Sequence, residues 1–244
     1  MSNTVIDWMN LHRLSKPSVV AFLNLQTEIE EILHPCGGDE IELNLDRALD
    51  PLCLILKSYA WYFDDLGIER MLSHNVSWVS DVNRVPQDGP LTLHIAEQIT
   101  VYCYYNGSAS DLIALAHEFG HALQLVHLNG RFSPPVDREI CAFLGEYILL
   151  SYCEGHHPKL YPALAKVWRE EHEIYLGQDA DILKAALDAP RSPYTYRHNY
   201  PVARLAAQNL FSHLSASQIW KMFEGHSGLS KLKALHREEM ECVV

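Results

Sequence analysis

Basic residues and long apolar runs are scarce in this sequence. Lys and Arg number 19 against 31 Asp and Glu, a formal net charge of −12, which argues against a nucleic-acid partner because phosphate contacts need clustered cations. The acidity is compatible with cationic substrates, although it commonly serves solubility alone. No apolar run reaches the roughly 18 residues of a membrane span, and the apolar stretch 19–23 is too short for a signal peptide. We expect a cytoplasmic protein, or one exported without a recognisable signal.

The cysteines lack the spacing of a metal site or of a disulfide framework. None of the six forms a CxxC pair, so a zinc site built from cysteine is not expected. Cys141 and Cys153 fall within apolar helical patterns and are predicted to be small buried side chains in a reducing compartment.

The chain is long and apolar enough to form one substantial core. It has 244 residues, of which 48% are hydrophobic, and it contains no internal repeat or low-complexity segment. We predict a single domain over 1–244, with a helical N-terminal part (1–85) and a part with strands and further helices (86–244). The sequence does not indicate an oligomeric state.

Helical patterns fill residues 1–75. Ser18 is predicted to cap a helix that runs to about Leu33 and ends at the breakers His34-Pro35 and Gly37-Gly38. A second apolar-rich helix is predicted over 44–64. A kink or a restart is expected at Pro51, because proline lacks the amide that would continue the helical hydrogen bonds.

A change of hydrophobic period after residue 75 predicts a small sheet. Short runs rich in β-branched and aromatic residues lie at 76–79, 91–95 and 99–105, and the turn Asn106-Gly107 follows the last run. Helical patterns then continue to the end, with Ser108 and Ser110 as possible first caps. The predicted helices are about 110–128, 137–153, 158–176, 179–188, 200–213, 216–224 and 227–239. The expected fold is mainly α with a small β-sheet (α+β).

Residues 117–121 form an HExxH motif within the helix predicted at 110–128. Residues four apart on an α-helix lie about 40° apart around its axis, so His117 and His121 can bind one metal ion. Glu118 lies beside them, where it can take a proton from a zinc-activated water without being a ligand. Gly120 costs roughly 1 kcal/mol relative to Ala inside a helix, which indicates that close packing requires it. The motif predicts a catalytic Zn²⁺ site.

His127 is one candidate for the third zinc ligand. It occupies the position of the last histidine in the pattern HExxHxxGxxH, but Gln124 replaces the glycine of that pattern. Without the glycine, the helix is expected to continue to the cap-like pair Asn129-Gly130. His127 then lies about 120° away from His121 around the helix axis, which disfavours a shared ion.

Glu139 is the better candidate for the third ligand. It is expected near the start of a new helix after the break Pro134-Pro135, where Asp137 can act as the cap. Glu146 lies on nearly the same side of that helix two turns later. Burying two carboxylates on an apolar helix face is costly unless they are paired. One carboxylate on zinc and one orienting a ligand histidine would account for both, although both could instead be solvated.

These residues resemble the active-site segment of the thimet oligopeptidase and oligoendopeptidase F family of zinc metallopeptidases. The stretch ITVYCYYNGSASDLIALAHEFGHA (99–122) is similar to that family's strand, Asn-rich turn and HExxH helix. The stretch EICAFLGE (139–146) has the family's spacing of two glutamates. Thermolysin-like enzymes instead place an Asp four residues after the ligand Glu, where this chain has Phe143.

The resemblance implies a zincin-like fold in which an edge strand precedes the HExxH helix. It implies His117, His121 and Glu139 as zinc ligands and Glu118 as general base. It also implies that a peptide or protein substrate lies extended along the strand 99–105.

A second similarity lies in the stretch SPYTYRHNYPVARLAA (192–207), where the family has a Tyr-rich segment before a helix. A Tyr or His of that segment donates to the oxyanion in the family, and Tyr196, His198 and Tyr200 are the matching candidates. Ala203 stands where the family has glycine, and Pro201 departs from its pattern. The aromatic residues could instead serve to pack the helix.

The expected function is therefore zinc-dependent hydrolysis of peptide bonds. The resemblance covers about 99–210, and the part before the strands is much shorter than in the family's members. The small size predicts a shallow or open site, so the alternative is an effector or toxin that cuts one specific protein. A third possibility is an inactive zinc-binding relic, against which the retained Glu118 argues.

Overall fold

The computed structural model describes residues 4–24, 50–81, 83–86 and 89–236. This part of the chain is mainly α-helical with one small β-sheet, as predicted, and none of its helices is long and apolar enough to cross a membrane. The helices are α1 (Val5–Leu11), α2 (Lys16–Asn24), α3 (Pro51–Phe63), α4 (Gly67–Asn75), α5 (Ala109–Leu128), α6 (Pro135–His156), α7 (Tyr161–Glu173), α8 (Ala180–Asp188), α9 (Asn199–His213), α10 (Ala216–Phe223) and α11 (Gly228–Leu235). The strands are β1 (Val76–Val79), β2 (Leu91–Ile95) and β3 (Gln98–Tyr102).

Helix α2 begins at Lys16, so the prediction that Ser18 caps it is wrong. Ser15 precedes the helix, and its Oγ accepts a hydrogen bond from the Ser18 amide at 3.2 Å. The Oγ of Ser18 in turn accepts a hydrogen bond from the Ser15 amide at 2.8 Å. Ser18 therefore lies in the first turn of the helix and completes a reciprocal capping pair with Ser15. The predicted continuation to Leu33, the breakers 34–38 and residues 44–49 lie outside the described residues.

Helix α3 begins at Pro51, which confirms the restart predicted there. Proline suits the first helical position, because its missing amide would have no partner there. The side chain of Asp50 caps the helix by accepting from the amides of Leu52 (3.0 Å) and Cys53 (3.3 Å).

The sheet has the strand order β1-β3-β2, with β1 parallel and β2 antiparallel to β3. All three predicted strands are present, but β3 ends at Tyr102 and is the central strand, so the expectation that 99–105 is an edge strand is wrong. Both sides of β3 are already hydrogen-bonded and cannot accept a substrate. The edge strand in contact with α5 is β2. Because β1 lies before residue 85, the sheet also spans the predicted boundary between the two parts of the chain.

Helix α5 has well-defined ends. Ser108, not Ser110, is its cap, because Ser108 Oγ accepts from the Asp111 amide at 3.0 Å and Asp111 in turn accepts from the Ser108 amide. The helix ends at Asn129, which has the left-handed conformation (φ 45°) expected of a C-cap. Because the helix continues through residue 127, His127 is turned away from the HExxH face.

Helix α6 begins at Pro135, so Asp137 is not its cap. Asp137 lies in the first turn and is buried, and burial raises the pKa of its carboxyl group. Its Oδ1 accepts from the Leu229 amide and the Ser227 hydroxyl, each at 3.2 Å, at the start of α11. The residue therefore joins two distant helices.

Helices α5 and α6 touch through two glycines. A Cβ on Gly120 would lie 2.6 Å from the carbonyl oxygen of Cys141, and one on Gly145 would lie 2.6 Å from the carbonyl oxygen of Ala116. Backbone atoms cannot move aside as side chains do, so only glycine fits at either position. The close packing predicted for Gly120 is thus confirmed, and it brings the acidic face of α6 against the histidines of α5.

Gly145→Ala should lower the free energy of unfolding by about 1–3 kcal/mol, the usual cost of overpacking. The gain in helix propensity from Gly to Ala is at most about 1 kcal/mol and does not offset the clash with backbone. Gly155→Ala, in the same helix, is the matched control because a Cβ there meets nothing within 4 Å. Urea unfolding should show the first variant destabilised and the second unchanged or slightly stabilised. Equal midpoints would contradict the close helix contact.

The buried core of the described residues forms one hydrophobic cluster that reaches from Val5 in α1 to Leu232 in α11. Cys141 and Cys153 are buried free thiols within it, as predicted. The helices predicted at 158–176 and 179–188 are α7 and α8, joined by a π-helical segment, Ile174–Asp179. A 3-10 turn, Tyr196–His198, leads into α9.

Candidate metal centre

The two histidines of the HExxH motif and the first acidic residue of α6 converge at the contact between α5 and α6. His117 Nε2 lies 3.3 Å from Glu139 Oε2, and His121 Nε2 lies 3.5 Å from Glu139 Oε1. The three side chains come from two helices held together by the glycine contact. This convergence is the arrangement expected from the sequence.

Two observations fit a bound cation at this position. Glu139 is only 1% exposed, and its Oε2 has no hydrogen-bond partner within the described part of the chain, which is costly for a carboxylate unless something else neutralises it. Ligands at about 2.0–2.1 Å from a tetrahedral Zn²⁺ lie roughly 3.3–3.4 Å from one another. The nitrogen–oxygen separations of 3.3 and 3.5 Å match that spacing.

Glu118 also lies close to the histidines, since the ligand atoms of His117, Glu118 and His121 are all within 4.8 Å of one another. Distance alone would allow it as a ligand. Its Oε2, however, accepts a hydrogen bond of 2.6 Å from the hydroxyl of Thr92 on β2. Glu139 lies 3.3 and 3.5 Å from the two ring nitrogens, and its Oε2 accepts no hydrogen bond within the described residues, so its position fits a metal ligand better.

Glu146 forms a hydrogen bond with the other ring nitrogen of His117, the role that its spacing suggested. His117 Nδ1 and Glu146 Oε1 are 2.7 Å apart. When Nδ1 carries the proton and donates it to Glu146, the lone pair of Nε2 is on the side of Glu139, where a metal ion would bind. The carboxylate therefore selects the tautomer that a metal ligand needs.

Arg204 of α9 completes this arrangement, and the sequence analysis did not identify it. Its Nη1 donates to Glu146 Oε2, and its Nη2 donates to the carbonyl oxygen of Trp168 at 3.1 Å. The guanidinium is fully buried, 4.0 Å from the centre of the Trp168 ring and 4.8 Å from that of Phe143. A lone arginine within the apolar run 201–207 was the signal that could have revealed it.

Burial and the close contacts between the histidines and carboxylates shift the pKa values of the cluster. Burial lowers the pKa of His117, but the nearby carboxylates of Glu139 and Glu146 outweigh burial and raise it well above its ordinary value. The pKa of His121 is lowered, chiefly by burial. Burial raises the pKa of Glu139, but His121 and His117 outweigh burial and lower it to about 2.

Two of the three predicted oxyanion donors lie at the cluster. Tyr196 donates its hydroxyl proton to Glu139 Oε1 at 2.5 Å, and the ring of Tyr200 is 5.9 Å from that of Tyr196. His198 is buried away from them, where its Nδ1 accepts from the Thr195 amide at 3.3 Å. In a 3-10 turn, residues two apart point about 120° away from each other, which separates His198 from Tyr196. His198 is therefore not placed to donate.

His127 is not part of the cluster. Its ring packs edge-on against Trp220 of α10, with ring centres 4.7 Å apart. Burial there lowers its pKa. The alternative in which His127 is the third ligand is therefore not supported by its position.

Two adjoining cavities flank the cluster. One of about 320 Å³ is lined by β2 residues together with His121, Glu139, Arg138 and Tyr196, and the other, of about 440 Å³, extends toward the N-terminal end of α5. The walls that the two cavities share are Pro90, His117, Glu118 and Tyr200. The HExxH motif is therefore exposed to both cavities.

Comparisons with known proteins do not add to this description. No protein-family model, curated protein or solved structure gives a significant match to this chain. The likeness to the thimet oligopeptidase and oligoendopeptidase F family stays a prediction that rests on the sequence motifs.

Proposed function

We propose that this protein is a zinc-dependent metallopeptidase with a zincin-like site. His117, His121 and Glu139 hold Zn²⁺, and Glu118 is the general base. The observation that carries the proposal is the buried, unpartnered Oε2 of Glu139 facing His117 Nε2 at 3.3 Å, beside a carboxylate that is free to act on water.

When bound, zinc supplies Lewis acidity that brings the pKa of water to about 7 and polarises a carbonyl group. Glu118 accepts a proton from the attacking water and passes it to the amine that leaves when the peptide C–N bond breaks. The hydroxyl of Thr92 orients Glu118 for this transfer through its 2.6 Å hydrogen bond. Glu146 and Arg204 keep His117 in one tautomer and one orientation.

The tetrahedral oxyanion needs a donor, and we favour Tyr200. Its side chain lines both cavities, and its hydroxyl makes no hydrogen bond within the described residues. Tyr196 already gives its proton to Glu139, so it would have to exchange partners during the reaction. A preorganised donor of this kind is typically worth about 10²–10³-fold in rate.

The substrate is proposed to bind along β2 rather than along β3. β2 is an edge strand, and its first residues, Leu91 and Thr92, line the smaller cavity together with Pro90. An extended peptide added to this edge would pass directly over His117 and Glu118. Main-chain hydrogen bonds to a strand edge provide affinity that does not depend on sequence.

The proposal is tested by metal analysis and hydrolysis on the same sample. The purified protein should contain a single equivalent of zinc and cleave a mixture of short peptides. Dialysis against a chelator should abolish cleavage, and added Zn²⁺ should restore it. A protein that takes up no zinc and cleaves nothing would overturn the proposal.

Two other outcomes would redirect the proposal. Cleavage of a folded protein with no cleavage of short peptides would indicate a protease dedicated to one target. Tight zinc binding without hydrolysis across a broad panel of peptides and proteins would indicate an inactive binding module.

A further inference from the structure

Arg138 places a guanidinium group in the wall of the smaller cavity, one residue before the proposed ligand Glu139. Its Nη2 donates to the hydroxyl of Tyr196 at 3.0 Å, and that hydroxyl donates to Glu139 at 2.5 Å. Two successive hydrogen bonds thus join Arg138 to the candidate metal cluster. The group is close enough to contact a substrate beside the bond that is cleaved.

Arg138 has no acidic counterion within the described part of the chain. No Asp or Glu of the described residues lies within ion-pair distance of it, and its Nε is buried without a hydrogen-bond partner. The other arginines near the cluster are compensated: Arg197 pairs with Asp179 at 2.9 Å, and Arg204 pairs with Glu146. Arg138 is partly buried in the cavity wall, so its guanidinium is available to pair with an anion that a ligand brings.

The charge of the cavity favours an anion. The carboxylates of Glu118 and Glu139 together balance a divalent cation, and Arg138 then leaves a net positive charge in the cavity. A guanidinium binds a carboxylate with two parallel hydrogen bonds, which fixes both position and orientation. A neutral or cationic group of the substrate cannot form a comparable pair of charge-assisted hydrogen bonds with Arg138.

Resting on the proposed function, we infer that Arg138 binds a carboxylate of the substrate and makes this site selective for peptides that carry one next to the scissile bond. The carboxylate is either an Asp or Glu side chain or the α-carboxylate of the terminal residue. An extended peptide advances only about 3.3–3.6 Å per residue, so the group belongs to one of the residues nearest the cleaved bond.

The test compares matched peptides with three proteins. The peptides differ only in Glu or Gln on either side of the cleaved bond, or in a free or amidated C-terminus. The proteins are the wild type, Arg138→Gln and the control Arg191→Gln, which alters an exposed arginine on the loop before the 3-10 turn. We expect the wild type and the control to prefer one carboxylate peptide by about tenfold or more in kcat/KM, and Arg138→Gln to lose that preference.

The arms of the test distinguish the two sources of the carboxylate. A preference for the free C-terminus identifies an exopeptidase site, and a preference for Glu over Gln identifies an acidic side chain. Arg138→Lys keeps the positive charge but lacks the planar guanidinium that binds a carboxylate with two hydrogen bonds, so it should retain only part of the preference for the carboxylate peptide. Circular dichroism and metal content verify that each variant is folded and loaded.

A binding measurement makes the inference independent of turnover. Fluorescent versions of the same peptides are titrated against the Glu118→Gln variant with Arg or Gln at position 138. Equal affinity and equal cleavage of acidic and neutral peptides, unchanged by Arg138→Gln, would overturn the carboxylate site but leave the metallopeptidase proposal standing. Absence of zinc and of all hydrolysis in the wild type would instead count against the proposed function.

Discussion

Glu118→Gln should reduce peptide hydrolysis by about 10²–10⁴-fold, the usual contribution of a positioned general base. Gln has nearly the same shape and can still accept the hydrogen bond that Thr92 donates at 2.6 Å, so the site should keep its geometry. Gln cannot take a proton from water, so the loss should fall on kcat, while KM changes little. The measurement is kcat and KM on one peptide, together with zinc content and thermal unfolding.

Two further variants separate loss of the general base from loss of the metal and from nonspecific effects. Glu154→Gln removes an exposed carboxylate from α6 and should behave as the wild type. Glu139→Gln should lose bound zinc as well as activity. If Glu118→Gln lost the metal and Glu139→Gln kept it, the two residues would have exchanged roles, which the short distances between Glu118 and the histidines would permit. Undiminished hydrolysis by Glu118→Gln would rule out Glu118 as the base.

Arg204→Met is expected to lower the free energy of unfolding by about 3–5 kcal/mol, because removing one partner leaves the other charge buried and uncompensated. Glu146 is 1% exposed and Arg204 is fully buried, so neither can turn toward water. Methionine also cannot replace the contact of the guanidinium with the Trp168 ring at 4.0 Å. Urea unfolding of the wild type and the variant measures the loss.

An exposed ion pair in the same chain is the control for Arg204. Lys16 and Asp188 are 2.5 Å apart, but their side chains are 50% and 74% exposed. Lys16→Met should therefore cost under about 1 kcal/mol, as surface pairs do. The double variant Arg204→Met with Glu146→Gln should recover part of the lost free energy of unfolding, because it no longer contains the uncompensated carboxylate of Glu146. A cost for Arg204→Met as small as that for Lys16→Met would show that burial does not strengthen this interaction.

The parts of the site that depend on local spacing were predictable from the sequence. His117 and His121 share a helix face because they are four residues apart, and Glu139 and Glu146 share one because they are two turns apart. Gly120 signalled close packing because a glycine inside a helix has a cost that only contact explains. These inferences need the helix geometry and nothing beyond it.

The parts that depend on distant segments were not predictable. Arg204 and Thr92 reach the cluster from segments 58 and 26 residues away from their partners, and no sequence spacing encodes those contacts. β3 has the composition of any half-buried strand. It is central because β1 pairs with one of its edges and β2 with the other, and no local pattern encodes the pairing with β1. The caps were misassigned for a local reason, since Ser18 and Asp137 have the right chemistry but lie inside the first turn.

If the proposed site binds a cation, the contact between Gly120 and Gly145 couples the stability of the protein to that binding. Metal–ligand distances tolerate deviations of only about 0.2 Å, so the separation of α5 and α6 also sets the ligand geometry. A cation held by His117, His121 and Glu139 would in turn resist any separation of the two helices. By mass action, a cation at a hundred times its dissociation constant adds about 2.7 kcal/mol of stability. If the proposed metal site exists, the unfolding temperature should therefore rise with added Zn²⁺ in the absence of any substrate.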